Sequence, residues 1–106
     1  MPKYLISGSY IGDGIKGLLK DGGSQRKEAV DQLIKNLGGT MESLYFAFGT
    51  EDFFITVDMP DNMKAAAGAL IASSTGVVSP KITVLLTAEE LDQVSNISAE
   101  YRAPGQ

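Results

Sequence analysis

Hydrophobic and polar residues alternate along several short stretches of the chain, and between those stretches apolar residues recur at helical spacing. The clearest alternation runs from Leu44 to Asp58. Leu44, Phe46 and Phe48, then Phe53, Ile55 and Val57, fall on one face. Tyr45, Ala47, Phe54 and Thr56 fall on the other, with Asp58 at its end. Aromatic and β-branched side chains suit a pleated surface, whereas Gly and Asp punctuate turns, so the stretch predicts two strands folded back at Gly49-Thr50-Glu51-Asp52. All four Phe lie in this hairpin, which places the expected centre of the core there.

The flanks read with the same rules. Lys3 to Tyr10 predicts a first strand, with Tyr4, Ile6, Gly8 and Tyr10 on one face and Leu5, Ser7 and Ser9 on the other. A glycine-rich connection follows, in which Ile15, Leu18 and Leu19 predict a short helical turn. Ser24 is a suitable N-cap for a helix whose Val30, Leu33, Ile34 and Leu37 share a face, and Gly38-Gly39 ends it. Pro60-Asp61-Asn62 breaks the second hairpin strand and caps a helix reaching about Ser73 or Ser74. That helix is almost entirely small residues, which reads first as tight packing on the sheet, then as a subunit contact or ligand wall. Gly76 stops it, and Ser79-Pro80 leads to a last strand with Ile82, Val84 and Leu86 opposite Thr83, Leu85 and Thr87. Thr87-Ala88-Glu89-Glu90 is a capping box opening a short helix through about Val94.

The order βαββαβ with an added C-terminal helix predicts an α+β, ferredoxin-like domain: a four-stranded antiparallel sheet with two helices on one face. Residues 1–96 form this single domain and residues 97–106 a flexible tail. The purely apolar face of each strand belongs under the helices. The mixed face, with Leu5, Ser7, Tyr45, Ala47, Phe54, Thr56, Thr83 and Leu85, is left bare in a monomer. An apolar patch of that kind marks an interface or a binding groove. The expectation is that two sheets pair face to face in a homo-oligomer, enclosing a cavity with polar groups at its mouth.

Residues at the central turn resemble a known family. Gly49-Thr50-Glu51-Asp52 between an aromatic and an apolar strand is similar to the turn of the GYD domain proteins. The Tyr4-to-Tyr10 strand, Gly14-x-Lys16-Gly17-Leu18-Leu19, Gly22-Gly23-x-x-Arg26, Gly38-Gly39, Pro60-Asp61 with its Ala-rich helix, and Gly76 agree in order. The resemblance spans residues 3 to about 92 and departs at Glu51, where the family's tyrosine is expected. It implies a ferredoxin-like domain akin to the dimeric α+β barrel proteins, and no particular activity.

Composition narrows the functions. Cysteine and histidine are both absent, which removes disulfides, thiolate nucleophiles and the commonest metal ligand. Nine Lys and Arg stand against thirteen Asp and Glu, for a net charge of −4, and no basic run suggests nucleic acid. No apolar run approaches a membrane span, and Met1 to Ile6 lacks signal-peptide layout, so a cytoplasmic protein is expected.

Candidate chemistry is sparse. Backbone N–H groups of the glycine-rich segment, with Lys16 and Arg26 nearby, could hold a carboxylate or phosphate, although turn-forming glycines explain it as well. Tyr10 and Tyr45 are strand phenols able to donate to a ligand, or simply to pack. Asp52 reads as a turn cap or a partner for an interface lysine, and Glu51 as solvated. Thr56 and Thr83 on the mixed face complete the candidate ligand-binding set. The scattered carboxylates form no metal site, no cofactor motif occurs, and no Ser has a base partner. Three readings follow: a protein binding a small organic or anionic molecule, a cofactor-independent enzyme of the dimeric α+β barrel type, and a structural or regulatory assembly module. Convergence of Tyr45, Thr56, Thr83 and Lys16 on one cavity would separate them.

Overall fold

The structure, a computed structural model, describes residues 1–106. Its elements are β1 (Lys3–Tyr10), α1 (Gly14–Asn36), β2 (Thr40–Phe46), β3 (Phe53–Asp58), α2 (Asn62–Ser74), β4 (Val78–Leu85) and α3 (Ala88–Ser95). The four strands form one antiparallel sheet in the order β2-β3-β1-β4, the ferredoxin-like arrangement. α1 packs on β2 and α2 on β4. None of the helices is long and apolar enough to cross a membrane.

Alternation along β1 and β3 places the core on the face the hydrophobic pattern predicted, whereas β2 adds no buried residue to it. Tyr4, Phe53, Ile55 and Val57 are buried on the helix side, joined by Met59, Ile34 of α1 and Ala65 of α2. The Tyr4 hydroxyl, carried deep into this layer, donates to the Asn62 side-chain oxygen at the start of α2. A buried phenol without a partner would cost about 1–3 kcal/mol, so this bond is what admits a tyrosine at the floor of the core. Pro80, which cannot donate to a ladder, lies in β4, an edge strand, where its missing N–H is tolerated.

Local signals set the element ends. Asp61 accepts a bond from the Lys64 N–H at 2.9 Å and so caps α2. Thr87 and Glu90 complete their capping box on α3. Gly38, at φ 82°, turns the chain out of α1, and the N–H of Gly39 returns to the Ile34 carbonyl.

Three expectations are corrected. The glycine-rich segment carries more than a short helical turn: α1 is two helical stretches that meet at a break at Gly22, so a second helix does begin near Ser24 as expected, but the first is already helical from Gly14. Gly22 has φ 78° and ψ 165°, a conformation essentially confined to glycine. Second, the hairpin loop is longer than four residues. β2 ends at Phe46, the Ala47 N–H donates to the Asp52 carbonyl, and Phe48 is carried fully into solvent. Phe46 stands at the edge, 39% exposed, so the aromatic cluster reduces to Phe53 stacked obliquely on Tyr10 with ring centres 5.5 Å apart. Third, Ser7 on the mixed face is buried, at 8% exposure, between its strand neighbours Phe54 and Lys81.

A β-bulge at Glu42 sets the register of β2 against β3. It turns Glu42 toward the sheet face away from the helices, where Lys3 bonds both Glu42 and Asp58. Those two bonds, Glu42 first and Asp58 second, raise the Lys3 ammonium above the ordinary lysine pKa. Lys35 is raised in the same way by its bond to Asp31 one turn earlier.

The Gly22 kink predicts a specific cost. Gly22→Ala forces a Cβ into the glycine-only region and should destabilise the fold by roughly 1–3 kcal/mol in urea unfolding. Gly17→Ala, in the same helix with open space at its Cβ, should be neutral or stabilising. Equal effects of the two would show that the kink is not a constraint.

Candidate functional site

The small residues of α2 decide what lies between helices and sheet. Ala65, Gly68, Ala69 and Ala72 repeat at i, i+3, i+4 and i+7, so they share the face turned to the sheet. At the helix start this face packs closely. Ala65 is buried against the core, and a Cβ on Gly68 would meet the Leu37 side chain at 3.2 Å. Farther along, Ala69 and Ala72 are only half-buried and bring no bulk to fill the space over β1 and β4.

What remains is a cavity of about 110 Å³. Its floor is Ile6, Leu44, Phe53 and Ile55, its walls are Val30 and Leu33 of α1 with Ala69 and Ala72 of α2, and Val78 and Pro80 close one end. Fifteen of its eighteen lining residues are hydrophobic, and its only polar side chains are the Tyr10 phenol and Arg26. A second, outer groove of about 420 Å³ runs between the first part of α1 and the end of α2, past Asp13, Leu18, Asp21, Ile71 and Val77. Tyr10, Arg26, Ala29, Leu33, Ala72 and Val78 line both spaces, so the outer groove leads into the inner cavity with Arg26 at the junction.

Arg26 is half-buried and takes part in none of the four ion pairs of the molecule, which use Lys3, Lys35 and Lys81. An always-charged guanidinium with five donors, at the rim of an apolar space and lacking a carboxylate partner, suits an anionic group brought in by a ligand. The inner cavity contains no carboxylate, and a base for proton transfer would have to come from elsewhere. The outer groove carries two carboxylates, Asp13 and Asp21.

Of the seven residues singled out from sequence, Tyr10 and Arg26 meet here. The others are dispersed. Lys16, on the exposed first part of α1, lines neither space. Two of the amides expected to form an anion site beside it are used in the turn that opens the helix, Gly14 donating to Ile11 and Gly17 to Asp13. Tyr45, Thr56 and Thr83 are on the opposite face of the sheet. Thr56 is bonded to Ser43 at 2.6 Å, Tyr45 is 70% exposed beside Phe54, and Thr83 is on the far edge strand. Three strand spacings of ~4.8 Å separate Tyr45 on β2 from Thr83 on β4, too far for one small ligand to bridge.

Asp52 has a different task. Its N–H donates to the Gly8 carbonyl at 2.7 Å, and its carboxylate accepts from the Tyr10 N–H at 2.9 Å. It therefore ties the start of β3 to the end of β1 and fixes Tyr10, and its partner is a strand amide rather than an interface lysine. The lysine contact belongs to Glu51, which pairs with Lys81 at 2.8 Å and is largely shielded instead of solvated. Val78 and Pro80 line the cavity without having been candidates, and the inner alanines of α2 line it as the ligand wall that was one alternative for that helix. The sequence signal for them was the low volume of α2.

Filling the cavity tests its existence. Ala69→Leu should raise stability by about 1 kcal/mol, because Leu replaces empty space and buries its own methyls. A space already closed in solution would be overpacked, and stability would fall by about 1–3 kcal/mol instead.

A family model described as the GYD domain matches residues 4–94. No curated protein matches the chain.

Proposed function

The chain belongs to the GYD domain family, and on that premise we propose that it is a small-molecule-binding protein that works as a homo-oligomer. Its ligand is a compact organic anion: an apolar body about the size of one ring, carrying a carboxylate or similar group. One observation carries this reading, the 110 Å³ apolar cavity with the unpaired Arg26 at its entrance. An apolar protein cavity of ~150 Å³ accepts benzene, so a single ring is the right scale for a space that also opens into a groove. The apolar body takes the place of missing side chains on α2, and Arg26 and Tyr10 bind the polar end.

Self-association is supported by the other side of the sheet, where Tyr45 and Phe54 are exposed beside each other on adjacent strands and Leu5 and Leu85 are half-buried. Pairing of two such faces would give the dimeric α+β barrel arrangement, and a cytoplasmic location belongs to the same reading. Within it Tyr45, Thr56 and Thr83 are interface residues, and the ligand lies on the helix side.

Calorimetric titration with benzoate, and with benzyl alcohol as its uncharged counterpart, tests the ligand class. Benzoate should bind saturably and more tightly than benzyl alcohol. Arg26→Gln should weaken benzoate by roughly tenfold or more, as expected for loss of a charge-assisted bond, and leave benzyl alcohol unchanged. Ala69→Leu should abolish both. Equal benzoate affinity for the wild type and Arg26→Gln would reject the site.

A further inference from the structure

α3 has no surface of its own chain to rest on. It opens on a complete capping box and carries Leu91 and Val94 on one side, with Ile97 following in the next turn, yet these are 57, 46 and 75% exposed. No other element packs against it substantially. The family match runs to Val94, so α3 is part of the domain. Helices shorter than ~12–15 residues are marginal in water even for favourable sequences, and α3 has eight residues. An apolar surface from outside the chain would stabilise it.

The whole molecule shows the same deficit. Its surface is 7369 Å², against ~5,700 Å² for a compact chain of this mass. Its radius of gyration is 16.8 Å, against ~13 Å for a compact domain of this length. The excess, ~1,700 Å², includes α3 and the segment after it, since residues 91–106 are all exposed.

A matching surface exists on the first part of α1. Ile15 and Leu19, one turn apart, are 44 and 79% exposed, and Lys16 and Lys20 follow them along the helix. α3 presents the complementary set, Leu91 and Val94 with Glu90 and Asp92 beside them. Within one chain these two helices do not pack together. We propose that α3 of one copy docks on the Ile15–Leu19 face of α1 in a second copy, in reciprocal exchange, so that both arms are covered in a closed two-fold pair. Lys16 then serves assembly, opposite the acidic side of the incoming helix.

The proposal rests on the reading that the chain self-associates, and not on the ligand. Sedimentation equilibrium on the full chain tests it with two double variants, Leu91→Asp with Val94→Asp and Ile15→Asp with Leu19→Asp. All four positions are exposed in the single chain, so the body should keep its native circular dichroism. The wild type should sediment as a multiple of 11.2 kDa, and both variants as single chains, because the exchanged arms, and not the sheet faces alone, hold the pair together. Hydrogen exchange should protect the amides of residues 91–97 in the wild type and not in either variant, even should one variant fold poorly. A wild-type monomer would overturn arm exchange together with self-association. A Leu91→Asp, Val94→Asp protein as large as the wild type would overturn arm exchange alone. An Ile15→Asp, Leu19→Asp protein of wild-type size would overturn the docking face. Benzoate binding by a monomeric variant reports on the ligand reading separately.

Discussion

A helix that brings almost no side-chain volume to its own interface determines the character of this fold. Protein interiors are close-packed, and a missing methyl in a core is ordinarily felt as lost stability. α2 meets the sheet through alanine and glycine. Where Met59 and Leu37 supply bulk, at its start, the contact is tight; toward its end nothing replaces the missing volume. The cavity, the access groove and the position of Arg26 at their junction all follow from this uneven filling. On the proposed reading binding is the complement of packing, because a ligand would supply the contacts that α2 does not.

The rest of the sheet holds that gap open by being rigid around it. Asp52 bonds the backbone at the ends of β1 and β3, which fixes the Tyr10–Phe53 pair at one end of the cavity. Tyr4, bonded to Asn62, anchors the start of α2 at the other end. On the opposite face Lys3 joins the Glu42 bulge to the last residue of β3. Exposed ion pairs contribute little to stability, so the role of that cluster is to hold the register of the bulged edge strand.

Most of the architecture was legible in the sequence because each element carries a local cause. Alternation gave β1 its ends at Lys3 and Tyr10, Gly38-Gly39 and Gly76 stopped their helices, and Asp61 and Thr87 capped theirs. Glycine density misled at α1. Five glycines between Gly12 and Gly23 suggest a connection with one helical turn at Ile15, Leu18 and Leu19, but the helix there runs from Gly14 up to the break at Gly22. Phe48 misled for a different reason: alternation predicts a face but not where a strand ends, and β2 ends two residues earlier. The candidate site was half legible. Tyr10 and Arg26 were identified by chemistry, whereas the cavity depends on volume that side chains fail to fill, and no periodicity encodes that.

The space beneath the second half of α2 is apolar and opens to the outer groove. Diffraction from crystals pressurised with xenon examines it most directly, since xenon enters dry apolar cavities of this scale. Xenon in contact with Val30, Phe53 and Ala69 is the result predicted by the uneven filling of this interface. Helices closed on the sheet, with no xenon between them, would contradict it.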